Sequence, residues 1–89
     1  MTDLLPEALR AMLSHAEETQ KSLQNTKAED EYLLALNYSC TVYHEASPIT
    51  GIVLTKLARF YESIGDKTKA AITLGRINAI LAEHSMSKL

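Results

Sequence analysis

Histidine and cysteine are the residue types in this 89-residue chain that could support metal binding or nucleophilic chemistry. His44 and Glu45 begin a pattern typical of zinc proteases, but Pro48 stands where the second metal-binding histidine would lie. The other two histidines, His15 and His84, fall in different segments, and no two histidines form a pair spaced by four on one helix. The sequence therefore predicts no metal site.

No other residues form a pattern expected of a catalytic site. Cys40 is the single cysteine, and its neighbours supply no electropositive setting that would activate a thiol, so we expect it to pack as a small apolar residue. Acidic residues gather at Glu29 to Glu31, where they suit the positive end of a helix dipole, and at Glu17 and Glu18, which we expect in solvent. Glycine-rich phosphate loops and G-x-S-x-G motifs are absent from the sequence. We predict a protein that is not an enzyme, with no catalytic, cofactor-binding or metal-binding residues.

Composition and charge restrict the protein class further. With 46% hydrophobic and 22% charged residues, the chain is typical of one helical domain over residues 1–89. Nine basic against eleven acidic residues give a net charge of −2 with no basic stripe, so we expect no nucleic-acid partner. Apolar runs do not approach the roughly 20 residues of a membrane span, and residues 1–6 do not resemble a secretory signal. The expected location is the cytoplasm.

Apolar residues recur every three or four positions along most of the chain, which is the spacing of one face of a helix. Period-two alternation typical of strands is absent. The pattern predicts an all-α fold of four antiparallel helices over residues 3–24, 27–46, 48–64 and 67–84. Short connections between them favour either an up-down bundle or stacked helical hairpins.

Local signals place the helix ends. Thr26 and Glu29 have the spacing of a capping box before the second helix. Ser47 and Pro48 fit the N-cap and first position of the third helix. Gly65 suits a left-handed turn after the third helix, and the residue that follows it, Asp66, can cap the fourth. The predicted core consists of the following residues of the apolar stripes: Leu9, Leu13, Leu36, Leu57, Phe60, Leu74, Ile77 and Leu81.

The second helix carries more apolar positions than one helix contact can cover, and tyrosine is common at protein interfaces. We therefore expect a partner-binding surface on the second and third helices, and the residues expected there are Leu34, Tyr38, Tyr43, Phe60 and Tyr61. The expected partner is another protein or an amphipathic peptide helix. Self-association into a homodimer would cover the same surface.

Residues 57–70 have the sequence Leu-Ala-Arg-Phe-Tyr-Glu-Ser-Ile-Gly-Asp-Lys-Thr-Lys-Ala. This segment resembles a tetratricopeptide motif, in a frame covering residues 51–84. In that frame Leu57 stands at a large apolar position, Ala58 at the small one and Tyr61 at the aromatic one. The resemblance implies a helical hairpin that binds protein segments, as in the small chaperones of bacterial secretion systems. It leads us to expect a small chaperone or adaptor that holds a partner helix.

A second resemblance rests on chain length and layout. Four helices with Ser47, Pro48 and Ile49 before an amphipathic third helix are similar to the cytoplasmic immunity proteins that protect bacteria from their own pediocin-like bacteriocins. This resemblance implies an alternative function, bacteriocin immunity, on a four-helix bundle.

Overall fold

The structure is a computed structural model that describes residues 5–86. That part of the chain forms four helices and contains no strand, so the predicted all-α class is confirmed. The helices are α1 (Glu7–Lys21), α2 (Asn25–Tyr43), α3 (Pro48–Ser63) and α4 (Lys67–Met86).

Contacts between helices fix their directions. Tyr61 reaches Glu29 at one end of the α2–α3 pair, and Thr50 reaches Ser39 at the other, so these two helices are antiparallel. A three-residue turn then reverses the chain, and Ile80, in the second half of α4, lies beside Gly51, near the start of α3. Each helix therefore runs opposite to the one before it, as predicted.

The four helices are arranged as stacked hairpins. Among the described residues the principal packing is between consecutive helices, α1 with α2, α2 with α3, and α3 with α4. The contact of α1 with α4 that would close a four-helix ring is not one of these pairs. The molecule is accordingly elongated, with extents of 45 × 29 × 23 Å, and one face of α3 is left open between α1 and α4.

The first helix is shorter than the predicted span of 3–24. Residues 3 and 4 lie outside the described residues, Leu5 and Pro6 precede the helix, and Lys21 ends it. Leu23 then adopts a left-handed backbone with φ of 64° and leaves its side chain 84% exposed. A non-glycine residue in this conformation is strained, and sequence patterns do not reveal it.

The predicted capping box at α2 is wrong. The helix begins at Asn25, and its N-cap, Gln24, makes no side-chain capping hydrogen bond. The Glu29 side chain does not fold back onto Thr26 because it binds Tyr61 and Lys69. Contacts with distant elements have replaced the local cap.

The caps of α3 and α4 are confirmed. Ser47 Oγ accepts the Ile49 backbone N–H at 3.1 Å, and Pro48 occupies the first turn. Gly65 has φ of 79°, a left-handed conformation that favours glycine. Asp66 Oδ1 then accepts the Lys69 N–H at 3.1 Å, which caps the start of α4.

Most of the predicted core is confirmed, with α4 as the exception. The predicted core residues that are buried are Leu9, Leu13, Leu36, Leu57 and Phe60. Leu74 and Leu81 are 42% and 62% exposed, so their assignment to the core is wrong, and Ile77 is only partly buried. The buried face of α4 instead contains Ala70, Thr73 and Ile80. Thr73 can be buried because its hydroxyl donates to the Lys69 carbonyl within the same helix.

Two buried hydroxyls fasten α3 to α2 and to the loop between them. Thr50 Oγ1 donates to the His44 carbonyl at 2.7 Å and lies 2.6 Å from Ser39 Oγ, which must therefore donate to Thr50. Ser39 and Thr50 are fully buried. The pair holds His44 at φ of 92°, which ends α2 at Tyr43, earlier than predicted.

Candidate functional site

The predicted partner-binding residues divide into two groups in the structure. Leu34 is 61% exposed on α2, and Tyr38 and Tyr43 are partly buried against the core. Phe60 and Tyr61 are 1% and 5% exposed, so placing them on the surface was wrong. Burial of their rings inside the molecule stabilises the fold and leaves them unavailable to a partner.

The buried aromatic rings form a cluster at the end of the molecule where α1 and α3 finish. The Phe60 ring centroid lies 5.2 Å from that of Tyr32 and 5.6 Å from that of Tyr61. Tyr32 donates its hydroxyl proton to Gln20 Oε1 at 2.9 Å, and Gln20 Nε2 donates to Ser63 Oγ at 3.0 Å. Burial, with a smaller effect of the Glu17 charge, raises the pKa of Tyr32 to about 12. This hydroxyl therefore stays protonated and acts as a structural donor.

Glu29, Tyr61 and Lys69 join three helices at this same end. Tyr61 Oη donates to Glu29 Oε2 at 2.8 Å, and Lys69 Nζ donates to the same oxygen at 3.0 Å. The hydrogen bond from Tyr61, and then that from Lys69, lowers the pKa of Glu29 below its ordinary value of 4.5. Burial and the bond to Glu29 raise the pKa of Tyr61. The three groups bind one another and join three helices, so we assign them to the fold.

The three histidines contact different partners in different parts of the molecule. His15 Nδ1 lies 2.8 Å from Glu31 Oε2, His44 Nδ1 accepts the Ala46 N–H at 3.1 Å, and His84 Nε2 lies 2.8 Å from the Ala46 carbonyl. In the part of the chain that the structure describes, no group of three or more His, Cys, Asp or Glu side chains could hold a metal ion.

The open face of α3 forms a groove with α1 on one side. A cavity of about 500 Å³ lies between these two helices, which run parallel, as the pairing of Glu17 with Lys56 and of Gln20 with Ser63 indicates. Leu5 and Leu13, both buried, form part of its floor, and Ile52 and Thr55 of α3 line the opposite side.

A second cavity, of about 580 Å³, lies between the same face of α3 and α4. Its apolar walls include Ile52, Ile77, Ile80 and Leu81. Ile52 and Thr55 line both cavities, so the two cavities lie side by side on this face of α3, one toward α1 and the other toward α4. We call this surface the α3 groove.

The α3 groove extends along about three helical turns of α3. Along α3 its lining extends from Pro48 to Arg59, which is roughly 16 Å at about 1.5 Å per residue. Gly51 lies in this face, and a Cβ atom there would come within 4.0 Å of Ile80 Cδ1. α3 and α4 therefore come close together at this position.

Charge is unevenly distributed in the α3 groove. Its α1 half is lined by Arg10, Lys56 and Arg59 with one carboxylate, Glu17. Three of the nine cationic residues of the chain thus meet one of its eleven acidic residues. The α4 half carries no carboxylate among its lining residues. This surface is positive although the whole chain has a net charge of −2.

The α3 groove was not predicted from the sequence. Ile52, Thr55 and Arg59 have helical spacing, but they lie beside the stripe of α3 that was assigned to the core. Leu81 was assigned to the core itself. The signal for this surface is that α3 carries more apolar residues than one stripe needs. The prediction named the second and third helices but took its α3 residues, Phe60 and Tyr61, from the buried face.

No described helix is both long enough and apolar enough to cross a membrane. No family model, curated protein or solved structure matches the chain.

Proposed function

We propose that this protein is a non-enzymatic binding module, a small chaperone or adaptor that holds an amphipathic helix of a partner protein in the α3 groove. The observation that carries the proposal is that α1 with α4 is not among the principal packing pairs of the described helices, so the intervening face of α3 is left uncovered between a basic wall on the α1 side and an apolar wall on the α4 side. Partner helices bind in such grooves by burying their own apolar face.

Exposed apolar groups in the α3 groove supply the driving force for binding. Leu81 is 62% exposed, and Ile52 and Ile77 are partly exposed beside it. Covering apolar surface contributes about 25 cal/mol for each Å² removed from water. An apolar occupant of this groove is therefore favoured.

The α2 surface around Leu34 is less suitable. Its cavity is about 330 Å³, and it is lined by Glu31 and His15 together with Leu34. One carboxylate oxygen of Glu31, Oε1, is buried with no hydrogen-bond partner among the described residues. An apolar side chain entering there would cover what is still exposed of this carboxylate and of the His15 ring paired with it, at a cost in free energy.

The chemistry of the α3 groove also favours binding over catalysis. Glu29, Tyr61 and Lys69, whose pKa values are displaced, line neither of its halves. Displaced pKa values are typical of catalytic groups, and here they belong to a contact that supports the fold. A cytoplasmic location is part of the proposal and is supported by the presence of a single cysteine, which cannot form an internal disulfide.

Site-specific photo-crosslinking in the source cell tests this function. One variant carries a photoreactive amino acid in place of Thr55, which lines the α3 groove. The matched control carries the same amino acid in place of Asn37, which is exposed on α2. We expect a protein adduct at position 55, with no adduct at position 37. Adducts at 37 alone would move the partner surface to α2, and the absence of a protein adduct at both positions would contradict a binding function.

A further inference from the structure

We infer that the helix held in the α3 groove is acidic along one flank, with two carboxylates one turn apart facing the wall between α1 and α3. This inference rests on the proposed function and names the chemistry of the partner. The opposite flank of the bound helix is apolar and faces α4.

The first support is the asymmetry of the two walls. Arg10, Lys56 and Arg59 gather on the α1 side, whereas Ile77 and Leu81 line the α4 side. A bound helix with one apolar stripe and one charged flank can place its charges at the basic wall and its apolar side chains at the α4 wall in only one orientation. Complementary charge of this kind selects a partner and its register.

The second support is the state of the cations. Arg59 is exposed, and among the described residues its side chain makes no ion pair. Lys56 Nζ lies 3.2 Å from Glu17 Oε2, but the two side chains are 35% and 42% exposed. An exposed ion pair of this type contributes little to stability, so Lys56 can exchange Glu17 for a partner carboxylate at small cost.

The third support is spacing. Lys56 and Arg59 are three residues apart on α3 and lie about one helical turn from each other. Carboxylates three or four residues apart on a bound helix are also about one turn apart, so one can pair with Lys56 while the other pairs with Arg59. A sheet edge or an extended peptide would space its charges differently.

Two synthetic peptides test the inference against the full 89-residue chain. Both carry the same leucine and isoleucine stripe over about four helical turns; one has glutamates on a single flank and the other has lysines at the same positions. Fluorescence anisotropy at low salt should show the acidic peptide binding about tenfold more tightly, with the difference shrinking as salt shortens the screening length.

Charge reversal identifies the residue responsible. Arg59→Glu should weaken the acidic peptide about tenfold and strengthen the basic one, whereas Lys27→Glu, an equal charge change on the first turn of α2, should alter both by less than about twofold. Circular dichroism melting of both variants establishes that each is folded.

The outcomes separate this inference from the function it rests on. Equal binding of both peptides, with no effect of Arg59→Glu, would contradict the acidic flank while leaving a helix-binding groove. Failure of both peptides would contradict the groove itself. Preference for vesicles of phosphatidylcholine with phosphatidylglycerol over the acidic peptide, or a stable dimer of the chain by sedimentation, would replace the partner helix by a lipid surface or a second copy.

Discussion

The hydroxyl of Tyr61 donates to Glu29 Oε2 across 2.8 Å and so joins the end of α3 to the first turns of α2. Lys69 of α4 shares that oxygen and also lies 5.7 Å from the centre of the Tyr61 ring. One partly buried carboxylate therefore stabilises the positions of three helices.

This contact predicts a pH dependence with a definite sign. Because the folded pKa of Glu29 lies below the unfolded value of 4.5, the unfolded chain binds more protons in that range, and stability rises with pH. The contribution of Glu29 is present above about pH 4.5 and is lost as the pH falls through the folded pKa. Glu29→Gln should remove this part of the acid sensitivity in urea unfolding between about pH 3 and pH 6.

The same carboxylate can be titrated directly by NMR. Tyr61 is the largest cause of the lowered pKa, so Tyr61→Phe should move the pKa of Glu29 upward more than Lys69→Met does. A larger effect of Lys69→Met would show that charge attraction outweighs the tyrosine hydrogen bond.

The buried hydroxyl pair predicts unequal losses of stability. Thr50→Val takes from the buried Ser39 Oγ the hydroxyl it bonds and removes one of the two donors of the His44 carbonyl, which keeps the Ser47 N–H at 3.2 Å; the expected cost is about 1–3 kcal/mol. Ser39→Ala leaves the bond from Thr50 to His44 intact and should cost about 1 kcal/mol. Urea denaturation gives the free energy of unfolding of both single variants and of the double variant. The double variant should lose less stability than the two single losses added together. Simple additivity would mean that the two hydroxyls act independently.

Leucines of the core and of the surface should respond differently to truncation. Leu57 is 2% exposed, so Leu57→Ala should cost about 2–5 kcal/mol of unfolding free energy. Leu74 is 42% exposed, and Leu74→Ala should cost about 1 kcal/mol or less. Equal losses in thermal denaturation would place Leu74 back in the core and contradict the orientation of α4.

Two of the positions with positive φ, Leu23 and Gly65, predict substitutions of opposite effect. Leu23→Gly should raise stability by about 1 kcal/mol, because glycine adopts φ of 64° without strain and the leucine side chain is already in solvent. Gly65→Ala should lower it by about 1–2 kcal/mol at φ of 79°. Differential scanning calorimetry measures both, and a destabilised Leu23→Gly would show that the exposed leucine has contacts of its own.

Local signals predicted the fold well where the responsible residues are adjacent in sequence. Ser47 with Pro48, and Gly65 with Asp66, act within a few residues of each other, so their patterns sufficed. The predicted cap at Thr26 is wrong because Glu29 is bound by Tyr61 and Lys69, which lie 32 and 40 residues further along the chain. No local pattern contains that information.

The orientation of α4 and the α3 groove illustrate a further limit. Apolar spacing fits a buried face with Leu74 and Leu81, and it fits nearly as well one with Thr73 and Ile80. The second face is the buried one, and the internal hydrogen bond of Thr73 allows its hydroxyl to be buried there. The groove arises from the separation of α1 and α4, which is a property of tertiary packing. Individual stripes therefore predicted helices correctly without predicting which face stays uncovered.

A comparison of two leucines tests the central claim most directly. Leu81 in the α3 groove and Leu34 on α2 are 62% and 61% exposed, so Leu81→Asp and Leu34→Asp place the same charge at equally accessible helix positions. The measurement is the dissociation constant of the acidic amphipathic peptide for each folded variant. We expect Leu81→Asp to weaken binding by about tenfold or more and Leu34→Asp by less than about twofold. The reverse order would place the partner on α2 and contradict the assignment of the α3 groove as the binding site.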